Sequence, residues 1–165
     1  MKLYCGGVFP FDCRDEGYVE SAKGDFRARL LGDVEKLLQK SDGIQINDNV
    51  TYIGPFYYET KDMCDRDIVE TEVDMIRRCT DAVFLLDDGL FPGTIGEMVY
   101  ASGLSKNVHV FYVVHEEETE SGLMSPCWHP MILSLLINKN AHVTMCKDMD
   151  EAVERIIGFV SSYAS

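Results

Sequence analysis

The stretch DAVFLLDDGLFPGTIGEMVYA, residues Asp81–Ala101, decides the fold class of this chain. Its first part, Asp81–Leu86, is a continuous apolar run, which is typical of a strand buried on both faces of a parallel sheet. A polar, glycine-containing loop follows, and the pattern over about Thr94–Leu104 predicts a helix. A buried strand that leads through a short loop into a helix is one unit of an α/β fold.

The same alternation of strand and helix extends in both directions along the chain. Apolar or β-branched runs predict four more strands, over Lys2–Cys5, Val50–Ile53, Val108–Val114 and Ala141–Cys146. Helical spacing of apolar residues predicts further helices over about Ser21–Lys40, Asp65–Cys79, Pro130–Ile137 and Asp148–Tyr163. We therefore expect an α/β fold with a five-stranded parallel sheet, covered on both faces and joined by right-handed crossovers.

Length and composition limit the possible classes of protein and of partner. The chain has 165 residues, of which 46% are hydrophobic and 26% charged, and its formal net charge is −13. These values favour one folded domain over residues 1–165. An excess of acidic groups repels a phosphate backbone and an anionic bilayer, so we expect neither nucleic acid nor a membrane as partner.

Targeting and redox features favour a cytoplasmic protein. The longest apolar runs, such as Val108–Val114, are far too short to span a bilayer, and the first residues lack the apolar stretch of a signal peptide. The six cysteines are scattered, without a CxxC pair or clustered Cys/His spacing. We interpret them as reduced thiols, and we expect no metal site.

Ligands of an open α/β sheet bind beyond the carboxyl ends of its strands. Functional residues are therefore expected in the loops that follow the strands, at 6–15, 54–61, 87–96 and 115–129.

Glu97, near the start of the helix after the third predicted strand, is the residue best suited to chemistry. The N-terminal end of a helix carries unpaired N–H groups and partial positive charge, and both favour an ionised carboxylate. Such a carboxylate, facing a cleft, can attack a sugar carbon as a nucleophile. The alternative is structural, because acidic residues near a helix start commonly serve only to complement its dipole.

The loop after the second predicted strand reads GPFYYE and carries three aromatic rings. Exposed rings are unfavourable, so they either pack on the loop or form a platform on which a flat base can stack. The second alternative makes substrate-binding candidates of Gly54, Pro55, Phe56 and Tyr57.

The loop after the first predicted strand begins GGVFP. Its glycines permit close approach of a ligand to the backbone but serve a tight turn equally well. Gly6, Gly7 and Phe9 are therefore candidates for substrate binding. The loop is not GxGxxG and the chain contains no Walker A sequence, so we expect no nucleotide cofactor, and none of another kind.

The loop after the first strand, GPFYYE after the second, and CTDAVFLLDD…PGTIGEMVYA together resemble the nucleoside 2-deoxyribosyltransferase superfamily. The most specific segment is Gly93-Thr94-x-x-Glu97-x-x-Tyr100-Ala101. The resemblance implies a flavodoxin-like three-layer fold. It also implies that Glu97 is the nucleophile at the anomeric carbon, and that Gly93 and Thr94 flank the sugar.

The resemblance also bears on the other acidic residues. Members with transferase activity usually carry an acid just before the Gly-Thr turn, where this chain has Phe91-Pro92. Asp87 or Asp88 is then the candidate acid that protonates the departing base. A further family acid, one helix earlier, corresponds to Glu72, with Asp74 as the neighbouring option.

The implied reaction is a double displacement on a (deoxy)nucleoside. Glu97 attacks the anomeric carbon while an acid protonates the base, and a second base or water then releases the glycosyl-enzyme. The substrate is a small-molecule nucleoside or nucleotide, and the resemblance implies a homo-oligomer. Two alternatives stay open: a non-catalytic nucleoside- or nucleotide-binding module, and another Glu-dependent N-glycohydrolase, such as a TIR-type NAD-cleaving domain.

Overall fold

The computed structural model describes residues 1–7, 20, 22–39, 41–57, 63–87, 92–113 and 141–164. Its strands are β1 (Lys2–Gly7), β2 (Ile44–Asn47), β3 (Val50–Gly54), β4 (Asp81–Leu86), β5 (Asn107–Val113) and β6 (His142–Cys146). Its helices are α1 (Phe26–Leu31), α2 (Val34–Leu37), α3 (Asp65–Arg78), α4 (Pro92–Gly103) and α5 (Met149–Ser161), and a short 3₁₀ turn follows at Ser162–Ala164.

The sheet confirms the predicted α/β fold and corrects the number of strands. Its order is β2-β3-β1-β4-β5-β6. The five predicted strands are all present and pair in parallel, in the order of a flavodoxin-like sheet. The sixth strand, Ile44–Asn47, was not predicted and pairs antiparallel with β3 at the edge. It is short and only partly buried, so it lacks the apolar run that marks the inner strands.

The centre of the sheet forms the core. Every residue of β4 is buried, as are Leu3–Gly7 of β1 and five of the seven residues of β5. Helices α3 and α4 pack against one another and against β1, while α1 contacts α5. Strands β1 and β4 pair in parallel up to Gly7 and Leu85, so their carboxyl ends lie side by side at one edge of the sheet.

The predicted helix over Ser21–Lys40 was wrong in its extent, because α1 ends at Leu31 and α2 begins at Val34. Gly32 ends α1 in the left-handed conformation, with φ of 67°, and its N–H bonds to the Arg29 carbonyl. Asp33 then caps α2 through a bond from the Glu35 amide. The Gly-Asp pair is thus a stop signal followed by a start signal.

The helix bounds elsewhere agree with the sequence analysis to within a few residues. Helices α3, α4 and α5 lie where Asp65–Cys79, Thr94–Leu104 and Asp148–Tyr163 were predicted. The helix predicted over Pro130–Ile137 lies outside the described residues. In the part of the chain that the structure describes, no helix has the length and apolar character needed to cross a membrane.

We expect Gly32→Ala to destabilise the fold by about 1 kcal/mol, because an L side chain is unfavourable in the left-handed conformation. A Cβ at Gly32 would have nothing within 4 Å, so the effect is conformational rather than steric. Urea unfolding measures it. The matched control is Gly158→Ala, on the exposed side of α5 and equally uncrowded, which should stabilise the protein by about 0.5–1 kcal/mol. Equal effects of the two substitutions would contradict this account.

Candidate active site

A cavity of about 290 Å³ lies between α3 and α4. One carboxylate from each helix lines it, Glu72 from α3 and Glu97 from α4. The remaining lining residues are apolar or small apart from one tyrosine: Val69, Val73, Ile76, Pro92, Gly93, Gly96 and Tyr100. An apolar cavity with a few convergent polar groups has the character of a small-molecule site.

Glu97 reaches from α4 to the carboxyl end of β1. A Cβ atom at Gly6 would stand 2.8 Å from the Glu97 Oε2 atom and 2.4 Å from the Phe84 ring. Both separations are below van der Waals contact, so only glycine leaves room for the carboxylate at this position. Gly6, a candidate for substrate binding in the sequence analysis, thus lets the backbone of β1 approach Glu97, and it is not among the residues that line the cavity.

Tyr4, two residues before Gly6 on β1, acts on the same carboxylate. Its hydroxyl is fully buried and lies near Glu97, but the geometry between the two groups does not meet the criteria for a hydrogen bond. The contact still lowers the pKa of Glu97, and burial together with the nearby Glu97 and Glu72 raises the pKa of Tyr4 well above its ordinary value. Tyr4 therefore remains a neutral phenol that can stabilise a negative charge on Glu97.

Burial and, to a smaller extent, the neighbouring Glu72 raise the pKa of Glu97 from 4.5 to about 7, while Tyr4 and Arg27 act in the opposite direction. Burial raises the pKa of Glu72 as well. The sequence analysis expected the helix start to favour the ionised form. That expectation was wrong in its net effect, because Glu97 lies beyond the first turn of α4, where the dipole weakens, and it is desolvated beside a second acid.

A second buried polar cluster supports β1 and consists of Asp25, Arg27 and Tyr57. The side chains of Arg27 and Asp25 are 0% exposed, and their Nη1 and Oδ2 atoms are 2.7 Å apart. Tyr57 donates to Asp25 at 2.8 Å and accepts from Arg27. Burial opposes the charge of Arg27, but Tyr57 and Asp25 raise its pKa above the ordinary value, so the guanidinium stays charged.

The loop after β3 packs into the core. Phe56 is 5% exposed and Tyr57 2% exposed, and Phe56 meets the Tyr52 ring edge-on at 5.2 Å. The Tyr52 hydroxyl donates to the Pro55 carbonyl at 2.6 Å, and Gly54–Pro55 is a cis peptide. The packing alternative therefore holds for these two rings, since neither offers a face on which a base could stack. Tyr58 and Glu59 lie outside the described residues.

The other predicted site residues lie in different places. Gly93 lines the cavity beside Glu97, while Thr94 is buried and does not line it. Gly7 contributes a carbonyl to the Arg27 guanidinium rather than to the cavity. Asp87 is partly buried just after β4, outside the cavity lining. Asp88 and Phe9 lie outside the described residues.

Three residues of the two clusters were missed by sequence reasoning. Tyr4 lies in the buried part of β1, where its neighbours are apolar or glycine, so its hydroxyl was a signal that sequence reasoning could have used. Asp25 and Arg27 offered none, because an acidic and a basic residue near a helix start usually face solvent. Only the meeting of α1 with the end of β1 identifies them as buried.

The fold and the site together define a flavodoxin-like α/β protein with a pair of partly buried glutamates at the carboxyl edge of its sheet. No protein-family model matches the chain, and no curated protein matches it in sequence. Among solved structures, the chain is similar to the Clostridium botulinum CMP N-glycosidase BcmB, with a TM-score of 0.56 and 14% identity. The match covers 96% of this chain and 99% of that one. At this identity, the likeness shows a common fold.

We expect Gly6→Ala to destabilise the protein by about 1–3 kcal/mol, the usual range for overpacking, because the added methyl group overlaps Phe84 and Glu97. Urea unfolding measures the change. Gly103→Ala at the end of α4 is the control, since its Cβ would have nothing within 4 Å. If Gly6→Ala is as well tolerated as Gly103→Ala, the close approach of Glu97 to β1 is wrong.

Glu97→Gln should remove a pH dependence of stability. The folded-state pKa of Glu97, about 7, lies above the unfolded value of 4.5. The stabilisation from this group is therefore complete below pH 4.5 and is lost as pH rises through 7. Relative to Glu97→Gln, the wild-type free energy of unfolding should fall by about 3 kcal/mol from acid to pH 8.

Urea unfolding at pH 4.5 and pH 8 tests this pH dependence. The matched control is Glu154→Gln, an exposed position on α5, which should leave the difference between the two pH values unchanged. Parallel stability curves for wild type and Glu97→Gln would show that Glu97 is not desolvated as described.

Proposed function

We propose that the protein cleaves or exchanges the N-glycosidic bond of a nucleoside or nucleotide, with Glu97 as the nucleophile. The observation that carries the proposal is the partly buried Glu97 carboxylate, which lines an apolar cavity at the carboxyl edge of the sheet and has a raised pKa. The resemblance of the Gly93–Ala101 segment to the deoxyribosyltransferase superfamily supports it. The fold shared with the CMP N-glycosidase BcmB is consistent with it.

The geometry suits a displacement at an anomeric carbon. A carboxylate in a desolvated cavity is a stronger nucleophile than one in water, and the cavity volume is near the lower end, about 300 Å³, of small-molecule sites. In the first step, the Glu97 oxygen forms a bond to the anomeric carbon as the bond to the base breaks. In the second, water or another base attacks the same carbon and releases Glu97. Water gives a hydrolase, and a base gives a transferase.

The departing base needs a proton, and the described residues suggest a donor different from the one first expected. Asp87 and Asp88 were the initial candidates, but Glu72 lies in the same cavity as Glu97, with its pKa raised by burial. Two neighbouring carboxylates resist simultaneous ionisation, so one proton is retained between them near neutral pH. Productive binding requires that proton on the donor and not on Glu97.

A non-catalytic binding module is the second candidate. It is favoured by Phe91-Pro92, which occupy the place where active members of the resembled superfamily carry an acid. A pocket that binds a nucleoside without cleaving it would keep the cavity and tolerate a protonated Glu97. Saturable thermal stabilisation by a nucleoside, without release of base, identifies this function.

The test of catalysis is release of free base from a panel of substrates. Nucleosides, 2′-deoxynucleosides, their 5′-monophosphates and NAD are each incubated with the protein, with and without an acceptor base, and the products are separated by chromatography. We expect Glu97→Gln and Glu97→Ala to reduce kcat/KM by about 10³-fold or more, because they remove the nucleophile. The exposed Glu154→Gln variant should keep wild-type activity.

The pH dependence of the reaction provides an independent check. Because Glu97 must be ionised while the Glu72 donor keeps its proton, kcat/KM should rise with pH as Glu97 ionises, pass through a maximum, and fall again as the pair loses its last proton. A rate that falls steadily from pH 5 to 7 would contradict the assignment of Glu97 as nucleophile. Absence of base release from every member of the panel would exclude the catalytic proposal.

A further inference from the structure

The Arg27 guanidinium takes no part in the chemistry proposed above. It nevertheless contacts β1, the strand that the Glu97 side chain also approaches. It is fully buried, with its guanidinium carbon 4.5 Å from the centre of the Phe26 ring. Burial of a charged group destabilises the fold unless the group is paired and hydrogen-bonded. The partners of the Arg27 guanidinium therefore indicate its structural role.

The carboxyl end of β1 has a strand on one side only. Pairing with β3 ends where Tyr4 lies opposite Gly54, whereas pairing with β4 continues to Gly7 opposite Leu85. Beyond Tyr4, Arg27 takes the place of β3. Its Nε donates to the Cys5 carbonyl at 2.8 Å, and its Nη2 donates to the Gly7 carbonyl at 2.8 Å.

The two carbonyls held by Arg27 flank Gly6, the residue that contacts Glu97. Asp25 in turn fixes the guanidinium at 2.7 Å and accepts from the Arg27 amide at 2.8 Å, which places Arg27 at the start of α1. A continuous set of contacts therefore runs from α1 through the end of β1 to the carboxylate on α4. A planar guanidinium can serve two carbonyls at once, whereas a lysine ammonium is a single point of charge.

We propose that Arg27 is a positioning residue for Glu97. Arg27 holds the carboxyl end of β1 against the Glu97 carboxylate and supplies a buried positive charge that acts on this carboxylate. The effect on turnover rests on the proposed function; the effect on Glu97 itself does not. Among the described residues, the charged and titratable groups that act on Glu97 are Tyr4 from β1, Glu72 from α3 and Arg27 from α1. Of these, Arg27 lowers the pKa of both glutamates, while Glu72 raises that of Glu97.

The experiment is a carboxyl ¹³C NMR titration of Glu97 in the full chain, with the resonance assigned by its loss in Glu97→Gln. Arg27→Met alone would leave Asp25 buried and unpaired, so the main variant is the double substitution Asp25→Asn with Arg27→Met. We expect its Glu97 midpoint to rise by about 0.5–1 pH relative to wild type. Arg29→Met, which removes an exposed positive charge two residues along α1, is the matched control and should not move the midpoint.

Arg27→Lys separates the charge from the hydrogen bonds. We expect it to keep the Glu97 midpoint within about 0.3 pH of wild type, because the positive charge remains. Hydrogen exchange at the Gly6 and Gly7 amides should accelerate by about tenfold, because one ammonium cannot hold both carbonyls. If base release occurs, kcat should fall with little change in KM.

An unchanged Glu97 midpoint in the folded double variant overturns the proposal. If that variant does not fold, Arg27→Lys decides: unchanged exchange at Gly6 and Gly7 overturns it, and faster exchange supports it. The proposed function fails separately, through absence of base release by the wild-type protein, which leaves the titration and exchange results standing. Conversely, the wild type could release base while the double substitution leaves the Glu97 midpoint unchanged. That result would support the proposed function and exclude the positioning role of Arg27.

Discussion

The burial of one carboxylate, that of Glu97, against the end of β1 is the constraint on which the candidate site depends. It requires glycine at position 6, because any side chain there would overlap the carboxylate or Phe84. It brings the Tyr4 hydroxyl and Glu72 within electrostatic reach, and it raises the pKa of Glu97 to about 7. A group buried in this way destabilises the fold at neutral pH, which is a common property of functional sites.

The charged side chains that act on Glu97 come from two different helices and have opposite effects on its pKa. Glu72 comes from α3, whereas the opposing charge of Arg27 comes from α1 and is itself held by Asp25 and Tyr57. The pair of Arg27 and Asp25 is fully buried, and such pairs contribute little net stability because desolvation offsets their attraction. The pair has a local structural role at the end of β1, where β4 still pairs with the strand but β3 does not. There, Arg27 donates hydrogen bonds to backbone carbonyls that β3 does not reach.

The fold was predictable because its signals are local. Continuous apolar runs identified β4 and β5, and helical spacing identified α3, to within a few residues. Two errors have physical causes. The edge strand Ile44–Asn47 is short and half exposed, so its sequence resembles a loop. The break between α1 and α2 depends on the left-handed conformation of Gly32. The spacing of apolar residues, from which the helix was predicted, carries no information about that backbone conformation.

The sequence by itself determined the α/β alternation, which follows from periodicity, and it made Glu97 the principal candidate acid through the Gly93–Ala101 segment. Tertiary structure alone decided the environment of that acid. Tertiary packing buries the side chains of Phe56 and Tyr57 in the core. It also brings Glu72, Tyr4 and Arg27 close enough to Glu97 to change its pKa. Desolvation and charge–charge interaction depend on distances between residues far apart in the chain, and only the packed sheet and helices establish those distances.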